Sequence, residues 1–335
     1  MKKNVLKRLL LTTLCITMFI SLAACGSKDT ASAKEPVPAS KAFGTKGIWY
    51  EGLPSDKNIS VEGILCFNGS GQVTYYQTSR EDSYFKDDLT FADLNGKNSE
   101  EITKLAKEKD KAVFDSGKSY VLSAFQEGVS SLTKERDKLQ SEYDSRNYDS
   151  ASNYVFQSES DIPKWYERHI QIHNLGIDFY NLIIEKIKAI KYKEPKPVDF
   201  TLSATTDNTG NAISKESIKF DRNYYFRFIT IDSAYDFSLH GNNNLPENVS
   251  SVDELIENYK DKYKEEYNME FDWDDIAYSK LPYQNSIALE LDQGPRIIYD
   301  MAFRGYTTLT TIVDQDHAGF TLDQTDTKGI EIDKK

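Results

Sequence analysis

Few residue pairs in this 335-residue chain stand at spacings that could do chemistry. His169 and His173 are four apart, the separation at which two imidazoles on one helix face can share a zinc ion. Ile170, Gln171 and Ile172 lie between them, so the glutamate base of the metalloprotease pattern is missing. His173 also falls in an apolar seam, which favours packing or loop capping over metal. Asp314-Gln315-Asp316-His317-Ala318-Gly319 begins like a calcium loop, with carboxylates at positions 1 and 3 and glycine at 6. Ala318 at position 5 and Thr325 in place of the bidentate glutamate break that pattern, which favours a solvated turn. Asp272, Asp274 and Asp275 flank Trp273 without a glycine turn or a fourth ligand and read as an acidic loop.

A Ser-His-Asp triad would have to use His169, His173, His240 or His317, and there is no nucleophile elbow, phosphate loop or dinucleotide fingerprint. Cys66, between Leu65 and Phe67 in a strand-like run, reads as a small buried hydrophobe rather than a reactive thiol. No catalytic residue, metal or cofactor is expected. The 21 tyrosines, many beside Asn and Asp, would suit sugar stacking and are equally ordinary in half-buried strands.

The most definite chemistry is N-terminal. Lys2, Lys3, Lys7 and Arg8 precede the 16-residue run Leu9–Ala24, too short to span a bilayer and suited to a signal-peptide core. The run ends in Leu22-Ala23-Ala24-Cys25, which resembles the lipobox of bacterial lipoprotein precursors. That resemblance implies diacylglyceryl transfer to the Cys25 thiol and cleavage between Ala24 and Cys25. The product would be anchored through lipidated Cys25 at the outer face of the cytoplasmic membrane. One acyl chain holds only marginally, whereas two make a lasting anchor. Removing residues 1–24, which carry four basic and no acidic side chains, takes the net charge from −12 to −16. Such a balance excludes a nucleic-acid partner, which requires a basic face. Cys15 would leave with the signal and Cys25 would carry lipid, so Cys66 has no disulfide partner in the chain.

The elements behind these residues read as α+β. Residues 25–43, small, polar and proline-bearing, form a flexible tether. A small β region covers 44–97: Gly47 opens a strand-like stretch, and a hairpin joins Ser60–Phe67 to Gln72–Gln77 through Asn68-Gly69-Ser70-Gly71. The opening Gly-Ile-Trp-Tyr-Glu-Gly at 47–52 resembles surface lipoproteins of Gram-positive bacteria, from which no functional residue carries over.

Residues 98–196 predict a long antiparallel helical hairpin. One helix starts at the capping box Asn98–Glu101, and a longer one runs from about Lys118 to Tyr143. A third starts near Asp161, with Tyr166, Ile170, His173, Ile177, Tyr180, Ile184 and Ile187 at coiled-coil spacing, and ends before Glu194. Residues 197–335 predict a β-rich sandwich- or barrel-like domain. Its strands cover Asp199–Thr206, Ser217–Phe220, Tyr224–Asp232, Ser286–Asp292, Ile297–Ala302 and Tyr306–Val313. Its one helix is capped by Ser251–Glu254 and carries Val252, Leu255, Ile256, Tyr259 and Tyr263 as its stripe. The favoured function is a lipid-anchored, non-enzymatic module for an envelope or extracellular ligand. The alternatives are a solute-binding lipoprotein of a transporter, disfavoured by missing βαβ alternation, and an envelope hydrolase.

Overall fold

The computed structural model describes residues 35–335 apart from 81–87, 153, 157, 227–250, 268, 269, 271, 280–285, 293, 334 and 335. Ala24, Cys25, His240 and the Tyr224–Asp232 strand beyond Phe226 therefore lie outside the described residues, as do the side chains of Tyr259 and Tyr263. The architecture is α+β: a large, mainly antiparallel sheet with a long helical hairpin inserted between two of its neighbouring strands.

Strands β2 (Gly47–Glu51), β3 (Gly63–Phe67) and β4 (Gln72–Gln77) pair in order, with Trp49 opposite Leu65 and Leu65 opposite Tyr75. The predicted turn closes β3 onto β4. There Asn68 Oδ1 accepts from Ser70 N–H at 2.8 Å and Gln72 N–H at 3.2 Å, while Gly69 and Gly71 take positive φ. The period-2 alternation splits these strands between two cores. Trp49, Leu65, Phe67, Val73 and Tyr75 face one, and Tyr50, Ile64 and Tyr76 face the other.

Although residues 98–196 intervene, β4 pairs directly with β5 (Val198–Thr206), Val73 opposite Val198. The sheet continues through β6 (Ile213–Phe220) to β9 (Ser286–Ala288), and β14 (Ile330–Asp333) lies parallel to β5. On its other side β2 pairs with β12 (Leu309–Val313), then β11 (Met301–Gly305) and β10 (Arg296–Ile298). The chain beyond β9 meets the β11–β12 turn, with a bridge between Leu291 and Tyr306 and a 2.7 Å bond from Thr307 N–H to Glu290 O. The sheet thus curls back on itself, barrel-like, around a core that includes Trp49, Phe67, Leu202, Ile218, Ile287 and Tyr306.

Four expectations are corrected. The 44–97 and 197–335 β regions are one sheet, because β2–β4 supply the strands that β5 and β12 need as neighbours. The tether stops short of residue 43. Val37–Pro38 form β1, parallel to β13 (Phe320–Thr321), and Ala39–Phe43 form helix α1, whose Ala39 and Phe43 are fully buried. Phe43 packs 4.7 Å from Trp49 and 5.0 Å from Phe67, a gain of apolar burial that outweighs the polar composition around it. Ile297–Ala302 is a two-stranded turn rather than one strand, with Tyr299 at φ 53°, and the strand expected from Tyr306 begins at Leu309.

The fourth correction concerns the hairpin, whose first leg is a single helix, α2 (Ser99–Ser145), 47 residues and about 70 Å long. Its buried stripe from Ile102 through Ala106, Asp110, Val113, Gly117, Val121 and Phe125 crosses the charged Lys107–Lys111 stretch without a break. The second leg, α3 (Asp161–Ala189), has 29 residues, so the legs are unequal. Asn98 caps α2 as predicted, its Oδ1 accepting from Glu100 and Glu101 N–H while Glu101 accepts from Asn98 N–H. The first turns of α2 cover one sheet face through Ile102 and Ala106. Its middle packs against Ile177, Tyr180, Ile184 and Ile187 of α3, and α4 (Val252–Tyr267) adds Leu255 to that core.

Candidate functional site

The far end of the hairpin gathers aromatic side chains. Helix α2 stops where Arg146 adopts the left-handed region at φ 55°, with Asn147 N–H donating to Glu142 O at 2.9 Å. Glu142 then organises the tip. It accepts from Tyr166 OH at 2.6 Å, Ser150 N–H at 2.9 Å and Ser150 Oγ at 3.0 Å. These donors, Tyr166 foremost, hold its carboxyl below the ordinary glutamate range. Around this frame Leu139, Ala151 and Tyr166 form a small core of their own.

On that frame Tyr154, Trp165 and His169 form a ladder of rings, with centroids 4.9 Å and then 3.8 Å apart, and Phe156 meets Trp165 edge-on. Tyr154 is 51% exposed and Val155 fully so, which presents apolar surface to solvent at the end of a stiff rod.

His169 and His173 belong to this ladder and its support. Each Nδ1–H donates to the carbonyl four residues back, Trp165 O at 2.8 Å and His169 O at 2.7 Å, and His173 Nε2 lies 3.1 Å from Glu135 Oε2. Burial, more than the neighbouring His173 and Arg168, lowers the His169 pKa and favours its neutral ring. Among the described residues no three His, Cys, Asp or Glu side chains are grouped to hold a metal.

The other sequence-predicted positions are scattered. Asp314 and Asp316 are exposed in the turn between β12 and β13, where Asp314 O accepts from His317 N–H at 3.0 Å. Asp272 and Asp275 cap a short 3₁₀ turn reciprocally, and Asp274 pairs with Lys193. Cys66 is partly buried on the β3 face toward α2, and burial pushes its thiol up to about 11, away from thiolate chemistry.

Three buried polar constellations went unread in the sequence. Asp110, 1% exposed on α2, accepts from Gln77 N–H at 2.7 Å, Tyr192 OH at 2.7 Å and Tyr225 OH at 2.6 Å. It ties the end of β4 to α2, to the chain just past α3 and to β7 (Tyr224–Tyr225), the partner of β8 (Tyr278–Ser279). Burial outweighs those donors and raises its carboxyl to about 6. Arg222 places Nη1 2.8 Å from both oxygens of Glu51 and stacks over the rings of Tyr75 and Tyr224 at 5.0 and 4.8 Å. Glu216 and Asp323, both buried, meet beside α1; burial first, then the Asp323 carboxyl, pushes Glu216 up to about 7. One signal for Asp110 was available: it stands four residues after Ala106 and three before Val113, inside the apolar stripe, where a carboxylate requires donors.

An α+β protein with one curled sheet and an inserted hairpin is therefore the class defined by these elements. No protein-family model matches the chain, and neither a curated protein nor a solved structure matches it. Among the described residues no helix is long and apolar enough to cross a membrane.

Proposed function

We propose that the chain is a lipid-anchored extracytoplasmic binding module whose curled sheet carries the helical hairpin as a spacer and whose contact surface is the hairpin tip. The observation that carries this reading is the solvent-facing pair Tyr154 and Val155, mounted on the Trp165–His169 stack at the end of the hairpin. Aromatic rings held rigid before binding lose little entropy on contact and suit stacking on a sugar or a protein surface. Glu142, which fixes the tip loop through three accepted bonds, supplies that rigidity. Anchoring rests on Leu22-Ala23-Ala24-Cys25, and the partner is an envelope or extracellular component.

Two measurements test the reading. Intact-mass analysis of membrane-extracted protein is expected to find Cys25 as the lipidated first residue; residues 1–24 still attached would overturn the anchor. Sedimentation with cell envelopes is expected to fall at least about tenfold for Tyr154→Ser combined with Val155→Ser, because loss of one contact residue of this size costs about 1–2 kcal/mol. Unchanged sedimentation of a variant with wild-type Tm would remove the tip from the contact surface.

A further inference from the structure

We propose that Glu216, Asp323 and Ser40 form a proton-gated clasp that holds residues 37–43 on the sheet and releases them as the pH rises. The clasp stands on geometry. Both oxygens of Asp323 are taken by one residue of α1, accepting from Ser40 N–H at 2.7 Å and Ser40 Oγ at 2.6 Å. The N–H of Asp323 in turn donates to Glu216 Oε2 at 3.0 Å, and the two side chains meet in the interior. The rest of the hold on this segment is apolar burial and a short strand pair, neither of which depends on pH. Strand β1 contributes two residues paired to β13 and a 3.0 Å bond from Val37 N–H to Gly319 O, and α1 contributes Ala39 and Phe43 to the core.

Among the described residues no cation acts on the Glu216 carboxyl. From the β11–β12 turn the facing titratable group is the phenol of Tyr306, whose own ionisation burial and the two carboxyls suppress. The strand on one side of β6 sets Ala204 opposite Glu216, α1 sets Ser40 against Asp323, and the chain after β9 donates Leu289 N–H to Glu216 O at 2.8 Å. Among the described residues Oε1 of Glu216 is buried without a hydrogen-bond donor. A single proton on the pair gives Glu216 a hydroxyl to donate and leaves Asp323 free to accept from Ser40. Loss of that proton leaves a buried Glu216 anion against the Asp323 carboxyl with no donor on Oε1, which is relieved when Asp323 swings out and α1 leaves with Phe43.

The sign follows from linkage. The folded state holds the Glu216 proton more tightly than the open state does. Docking is therefore strongest below the ordinary glutamate range and is lost as pH rises through neutrality. The proposal holds whether or not Cys25 carries lipid.

Hydrogen exchange on the whole chain, corrected for the intrinsic pH dependence, tests it. Protection of amides 39–44 is expected to fall between the ordinary glutamate range and about pH 7, by at most about tenfold per pH unit since one proton is linked, and to level off above that, while β3 amides hold constant. Glu216→Gln, which keeps a neutral donor in place, is expected to abolish that fall and keep α1 protected. Ser40→Ala is expected to lower protection of this segment at every pH. As a check free of substitution, the Glu216 carboxyl carbon is expected to titrate by NMR about where the fall in protection levels off, near pH 7. A flat profile for amides 39–44, the same fall in Glu216→Gln, or a Glu216 carboxyl titrating in the ordinary glutamate range would each overturn the clasp.

Discussion

Asp110 shows what a single buried carboxylate does when three donors converge on it. Removing it strands two tyrosine hydroxyls and the Gln77 amide, and each buried group left unmatched costs about 1–3 kcal/mol. Asp110→Ala is therefore expected to lose at least about 3 kcal/mol in denaturant unfolding. The pH dependence has a definite sign. A folded-state carboxyl raised from 3.8 to about 6 binds its proton more tightly than the unfolded chain does. Its contribution is complete below pH 4 and lost as pH climbs to about 6, roughly 3 kcal/mol for two units. The difference in unfolding free energy between the wild-type protein and Asp110→Asn, measured at pH 4 and pH 7, is expected to shift against the wild type by about that amount. A constant difference would mean that Asp110 titrates alike in the folded and unfolded chains. This site was half legible in the sequence. The acidic residue in an apolar stripe was in view, but its donors come from positions 77, 192 and 225, and no spacing rule connects residues so far apart.

At the level of elements, local signals carried well and interruptions misled. The Asn98 box, the Asn68–Gly71 turn, the α3 seam and Pro163 in the first turn of α3 all stand where short-range chemistry put them. Residues 107–117 carry little helix signal in the sequence, because charge and Gly117 hide a stripe whose partners, Arg80, Tyr192, Tyr225, Phe226 and Tyr278, are distant along the chain. Gly128 carries a similar lesson. It lies under Tyr180, and a Cβ there would stand 2.6 Å from the ring. Alanine would gain about 1 kcal/mol of helix propensity, against about 1–3 kcal/mol for forcing the ring off its seat. Overpacking wins, so Gly128→Ala is expected to lower the unfolding free energy by about 1 kcal/mol. A stabilised variant would show that the two legs separate there without penalty.

The whole molecule is held together by strand pairs that span most of the chain. Leu309 lies opposite Glu51 and Val198 opposite Val73, while Phe43 shares its core with Tyr306. These pairings explain why the two β stretches read as separate domains: strand patterning reports which face is buried, not which distant strand lies alongside. They also dictate what cutting the chain does. Residues 197–335 alone would keep β5, β6, β9–β12 and β14 but lose β2–β4. That leaves Val198 and Asp199 of β5 and Leu309 and Thr310 of β12 unpaired, and Leu202, Ile218 and Tyr306 without Trp49, Leu65 and Tyr75 as neighbours. This fragment is expected to lack near-UV circular dichroism and to melt without a sigmoidal transition, whereas the full chain unfolds cooperatively. It is also expected to regain structure when residues 36–196 are added, since the missing strands then return. A sharp transition in 197–335 alone would mean that the C-terminal strands complete a core without β2–β4, and the single curled sheet would have to give way to two units.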